Sequence, residues 1–158
     1  MSKKIWWRPI ASMGLSTFLI IFGSIALNKY TQADHSTGNI DKVCLGDQCF
    51  VVEIAQTPAE RIYGLMHREY LDDKSGMFFI FDKSEEHNFW MKNTLIPLDI
   101  IWIGQDKKIV FISKNTLPCQ TKYCPRIKPE VESRYVLEVN AGAVDKYNLK
   151  LGDLVIFR

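Results

Sequence analysis

A mainly β (α+β) fold, a small partly closed barrel or sandwich with one short helix, is predicted for most of this 158-residue chain. Three observations predict it. Short runs rich in β-branched and aromatic residues recur between turn-forming clusters from Val43 to Phe157. Only one strong helix start, Thr57-Pro58-Ala59-Glu60, interrupts them. So many strands in about 117 residues must curl or stack to bury their apolar faces. Composition agrees, with 47% apolar and 24% charged residues, which supports a packed core and excludes wholesale disorder.

An apolar helix is expected ahead of that domain. Lys3, Lys4 and Arg8 precede Ile10–Leu27, which contains no charge. Its 18 residues would rise about 27 Å as a helix, near the thickness of a hydrocarbon core. Residues 1–33 therefore read as a signal sequence or a single membrane anchor, with residues 10–27 in the membrane if uncleaved. Trp6, Trp7 and Tyr30 suit an anchor's interfacial flanks, and Thr31-Gln32-Ala33 offers a modest processing site. Either way the basic end stays inside and the rest is exported. It remains anchored and facing outward, or becomes periplasmic or secreted. Asp34–Asp41 reads as a polar tether, and residues 42–158 as the domain.

The charge splits at the same place. Of 20 basic and 18 acidic side chains, four basic and no acidic ones lie in residues 1–33, leaving 16 against 18 and a net −2 beyond. With no basic stripe, that portion is not expected to bind nucleic acid.

Within the domain, Val43-Cys44 and Cys49–Val52 are expected to form a hairpin around a four-residue loop, Leu45–Gln48. Such a hairpin sets Cys44 opposite Cys49. Thr57 then caps a helix with Pro58 in its first position and Glu60 completing a capping box. Ile62, Leu65 and Met66 would form its apolar side, with an end near Arg68–Tyr70; Gly64 breaks the pattern or marks close packing on a strand. Gly76–Phe81 and Phe89–Met91 are apolar runs. Leu98–Ile103 and Lys108–Ser113 form a hairpin around Gly104–Lys107. Asn115–Ser133 is a long proline-bearing connection holding Cys119 and Cys124. Tyr135–Val139 is a strand, Ala141–Tyr147 a helical turn, and Leu154–Phe157 the closing strand.

Both cysteine pairs have the spacing Cys-x4-Cys, which suits local disulfides in an oxidising compartment. A four-thiolate metal site is the alternative.

Three segments carry a recognisable pattern. They are Arg61-Ile62-Tyr63-Gly64-Leu65-Met66-His67-Arg68, Gly76-Met77-Phe78-Phe79-Ile80-Phe81, and Phe89-Trp90-Met91-Lys92-Asn93-Thr94-Leu95-Ile96-Pro97-Leu98-Asp99. Together with Pro118-Cys119, Cys124-Pro125, Tyr135–Glu138 and Ala141-Gly142, they resemble the domain-of-unknown-function family 192 over nearly all of Val43–Arg158. The resemblance implies a small β-rich, barrel-like domain, often exported, and no agreed biochemical activity.

Candidate chemistry concentrates in Phe89–Asp99. Asp99 lies within an otherwise apolar run, where a carboxylate is costly unless partnered. Alternation puts it on the side of Ile101 and Ile103, opposite Leu98 and Ile100. In one reading it accepts hydrogen bonds from loop backbone or an arginine and holds the Lys92–Thr94 turn. In the other, Asn93, Thr94 and Asp99 floor a ligand cleft walled by Trp90 and Met91, a mixture suited to a glycan or peptide. Arg61 and Arg68, seven apart on the expected helix, would pair with Glu138 and close the barrel. Met66, His67, His87 and Met91 offer thioether and imidazole donors of the kind that hold Cu(I), though Met66 and Met91 also fit apolar stripes. No GxSxG elbow, HExxH helix, phosphate loop or zinc-finger spacing occurs, so neither a cofactor nor a metal is expected. The sequence thus favours an exported binding domain for an envelope glycan or protein. An envelope hydrolase using Asp99 and a copper-handling module are the alternatives.

Overall fold

A computed structural model describes residues 40–158. The expected leader and most of the tether, residues 1–39, lie outside the described residues. Among those described, no helix is long and apolar enough to cross a membrane.

The mainly β prediction holds. In chain order the elements are β1 (Lys42–Leu45), β2 (Gln48–Ala55), α1 (Pro58–Tyr63), β3 (Ser75–Glu85), β4 (Phe89–Trp90), β5 (Leu98–Ile103), β6 (Ile109–Thr116), β7 (Arg126–Ile127), β8 (Ser133–Asn140), α2 (Ala143–Lys146) and β9 (Val155–Phe157). Seven strands form one sheet in the order β6-β5-β8-β3-β2-β1-β9, and β4 pairs with β7 separately. The large sheet curls into a half-barrel whose edges meet at one end. There Lys108 bridges Leu154, flanked by bonds from Ile109 N–H to the Asp153 carbonyl and from Val155 N–H to the Lys107 carbonyl. Ile40 packs on the core and Asp41 N–H bonds to the Arg158 carbonyl, so the last two residues of the expected tether belong to the folded domain.

The inner face buries Phe50, Phe78, Ile101, Ile103, Leu137 and Val139 with Val144 from α2. The outer face buries Phe79, Ile100, Trp102 and Val136 beneath Leu65, Phe89 and Met91. Strand β5 is therefore buried on both faces, which is why Leu98–Ile103 reads as an unbroken apolar run.

Two local expectations change. The first hairpin turns on two residues, Gly46-Asp47, because Leu45 pairs with Gln48; Cys44 still faces Cys49. Helix α1 keeps its full capping box but ends after six residues. Gly64, at φ +50°, stops it in a conformation unfavourable to residues with a Cβ, and Ile62 is left 63% exposed rather than packed. The two backbone N–H groups that Glu60 accepts in the cap hold its carboxyl below the usual range.

The β2–β3 pair is parallel, so the chain must cross over the sheet between them. Helix α1 and residues 64–74 make that crossover on the outer face and create the site described next.

Candidate functional site

Two walls stand on the outer face of the sheet. One is α1 with the turn that follows, Arg61–Met66. The other is β4 with the Met91–Thr94 turn. Phe89 roots the second wall, its ring edge-on to Phe79 at 5.0 Å and to Trp102 at 5.4 Å between centroids. Alternation then turns Trp90 outward.

A bond of 2.8 Å from His67 N–H to the Asn93 carbonyl ties the walls together. His67 and Asn93 both adopt positive φ at this tie. From behind, Asn93 N–H bonds to the Cys119 carbonyl and Cys119 N–H to the Met91 carbonyl, at 2.8 and 3.1 Å. The second wall thus leans on the Cys119–Cys124 loop. Both expected disulfides are present, Cys44–Cys49 and Cys119–Cys124. That answers the metal alternative for these thiols.

Between the walls runs a groove in two parts. The outer part, about 420 Å³, is lined by Arg61, Ile62, Phe81, Asn88, Trp90 and Arg126 among others, with no carboxylate among the described residues. The Arg126 guanidinium and the Lys92 ammonium lie 5.1 and 5.3 Å from the Trp90 ring centroid. Arg61 sits 5.0 Å from that of Phe81 while donating to the Gln56 and Ile80 carbonyls. These are cation–π distances, and they leave the mouth positively charged.

The inner part is a crevice of about 20 Å³ that shares Arg61, Ile62, Phe89 and Trp90 with the outer part. Thr94 and Glu138 line it. Glu138 is only 5% exposed, and among the described residues its carboxyl has no hydrogen-bond or ion-pair partner. Burial alone pushes that carboxyl up to about 8. A Cβ on Gly64 would come within 3.9 Å of Glu138 Oε2, so the glycine that ends α1 also packs its bare backbone beside this buried carboxyl.

The sequence-derived candidates divide. Trp90, Asn93 and Thr94 gather on the second wall, where Met91 is buried against the sheet. Asp99 lies apart from them, on the inner face and fully buried. Its Oδ1 accepts Asn115 N–H and its Oδ2 accepts Val144 N–H, both at 2.8 Å. It holds the β6 end and α2 rather than the Lys92–Thr94 turn, and offers no free oxygen to a substrate.

The expected pairing of Arg61 and Arg68 with Glu138 does not form. Because the helix stops at Gly64, the two arginines do not share a helical face. Arg61 caps backbone carbonyls, and Arg68 pairs with Glu53, whose bond raises the Arg68 pKa. His67 packs near Tyr63. His87 stacks on Phe81 at 3.5 Å, donates to the Lys83 carbonyl, and is pushed down by burial. Among the described residues no three His, Cys, Asp or Glu side chains cluster as metal ligands.

Arg126, Asn88 and Ile62 line the groove without having been singled out as site residues. Arg126 arrives through β7, a two-residue strand between Pro125 and Lys128-Pro129 that is too short to show a period.

Known proteins reinforce the fold and leave the activity open. The sequence is 36% identical to a protein of unknown function from Novosphingobium aromaticivorans DSM 12444. Superposition gives a TM-score of 0.69 over 74% of this chain and 84% of that one. It is 32% identical to a Sinorhizobium meliloti 1021 protein described as a proposed transcription regulator, with a TM-score of 0.67 over 73% and 90% of the two chains. No functionally curated protein matches the sequence. Residues 42–157 match the profile of DUF192, described as "Uncharacterized ACR", and the chain belongs to that family.

Proposed function

We propose that this protein is an exported envelope domain that binds an acidic saccharide in the groove between α1 and β4. The basic, apolar pattern of residues 1–33 and the two disulfides support export. The observation that carries the binding role is the outer groove. An aromatic wall, the Asn88 amide and the cations Arg61 and Arg126 surround about 420 Å³ with no carboxylate among them. A volume of this order accommodates a small ligand, and aromatic faces beside amides and guanidinium groups suit a sugar ring bearing a carboxylate. The exposed Ile62 and Tyr63 at the rim favour a second reading, an acidic segment of an exported protein.

Calorimetric titration of the full chain with hexuronate and muramic-acid oligosaccharides, against neutral dextran oligomers, tests the proposal. The acidic probes should bind. Trp90→Ala and Arg126→Ala should each weaken binding about tenfold or more while leaving the unfolding midpoint unchanged. Binding only to acidic peptides would move the assignment to the protein partner. No binding by any acidic probe would end it.

A further inference from the structure

The inner crevice poses its own question. A carboxyl held almost wholly out of water normally finds a hydrogen-bond partner, and Glu138 has none among the described residues. Its surroundings explain why no partner comes from the protein. Its cross-strand neighbours are Met77 on β3 and Ile100 on β5, both buried and apolar. Beside it lies the bare backbone of Gly64. The titratable or charged groups lining the crevice are Arg61 and Tyr63 from the first wall and Lys92 from the second; none bonds to the carboxyl. The crevice is about the size of one water molecule, and it shares Arg61, Ile62, Phe89 and Trp90 with the larger groove.

We infer that this crevice recognises one uncharged carbonyl-bearing group of the ligand, such as an amide or acetamido group, with the Glu138 carboxyl donating a hydrogen bond to its oxygen beside the Thr94 hydroxyl. The inference rests on the groove being a binding site and names the group that its inner end selects. Three properties choose a neutral carbonyl. A cation would have to pass Arg61 and Lys92. An anion would meet Arg61 and Lys92 but would be desolvated against Phe79 and Leu65. A carbonyl oxygen accepts what a neutral carboxyl donates, and the rest of the ligand remains in the outer groove. The carboxyl is poised for this at neutral pH, since burial raises it to about 8. Above that value it loses its proton and with it the donor.

The experiment has two arms on the full-length chain, with N-methylacetamide as a small neutral probe. In the first, the carboxyl carbon of Glu138 is followed by 13C NMR while pH is raised with and without the probe. Binding to the neutral form should move the titration to higher pH. In the second, N-acetylated muramic-acid oligosaccharides are titrated from pH 6 to pH 10. Wild-type affinity should fall about tenfold per unit above pH 8. Glu138→Gln, which keeps one donor and one acceptor in the same volume, should bind with no such dependence, and Thr94→Val should weaken binding severalfold. A Glu138 titration unmoved by N-methylacetamide, or a Glu138→Gln profile that follows the wild type, overturns the inference. The first arm does not depend on saccharide binding, so failure of the acidic-saccharide reading alone leaves its result standing.

Discussion

Replacing Asp99 by asparagine tests how the inner face is held. Helix α2 begins at Gly142, which has no side chain to cap it. Asp99 caps it from β5 instead, taking Val144 N–H on Oδ2 and Asn115 N–H on Oδ1, each at 2.8 Å in a site with no exposure. Asparagine has nearly the same shape but only one acceptor, so one N–H loses its partner and meets an NH2 donor. An orphaned buried donor costs about 1–3 kcal/mol, and the donor–donor contact puts the change near the top of that range. At roughly 4 °C per kcal/mol for a domain of this size, the midpoint should fall by roughly 10 °C. Thermal and urea unfolding followed by circular dichroism measure this, with an unchanged m-value showing that only stability has moved. Saccharide binding below the new midpoint should be unaffected, because Asp99 does not face the groove. A midpoint within roughly 2 °C of wild type would refute the capping argument. Lost binding with unchanged stability would return Asp99 to the site.

Other consequences follow from the same contacts. Gly76→Ala would place a Cβ 2.6 Å from the backbone carbonyl oxygen of Glu138, so β3 and β8 must part; urea unfolding should show a loss of about 1–3 kcal/mol. Replacing Cys44 and Cys49 together by serine removes a short cross-strand link worth about 2 kcal/mol in the chain-entropy treatment, and should lower the urea midpoint without changing the groove. Mild reduction that opens only Cys119–Cys124 should speed hydrogen exchange at the Asn93 amide, which leans on Cys119; unchanged exchange would show that the β4–β7 pairing alone supports that wall. Glu138 is raised from 4.5 to about 8, so across that window the folded chain keeps a proton that the unfolded chain has released. Stability from this group is therefore complete below the lower value and declines as pH rises through the upper one, by at most about 1.4 kcal/mol per unit. Urea midpoints should fall from pH 5 to about pH 8 and level off by pH 9 in wild type, and the fall should be reduced in Glu138→Gln.

Much of this architecture was legible because local signals agreed with tertiary needs. The β5–β6 hairpin, the capping box at Thr57 and the opposition of Cys44 and Cys49 each follow from a few adjacent residues, and each is present. The side to which Asp99 points was also readable from strand alternation, since it shares the inner face with Ile101 and Ile103. What it touches was not, because its partners lie 16 and 45 residues away and are backbone amides, which carry no sequence signature. The arginine–Glu138 pairing assumed that a helical period ran through Gly64. A single positive-φ residue cancelled it. Arg126 stayed hidden for the opposite reason, since its strand is too short for any period to show.

The groove and its buried carboxyl share one topological origin. In a sheet where every other strand pair is antiparallel, the parallel β2–β3 pair compels a crossover, and the crossover lays α1 across the outer face. The helix must be short to return to β3, and Gly64 makes it so. The same glycine leaves a gap above β8 where a longer helix with side chains would have sealed the surface. An apolar residue at position 138 would suit Met77, Ile100 and Phe79 better than a carboxyl does, because nothing among the described residues repays its desolvation. Fold stability therefore supplies no reason for a glutamate there. A ligand group entering from the groove supplies one, and the buried carboxyl, the Thr94 hydroxyl and the cation-rich mouth then act as parts of one binding surface.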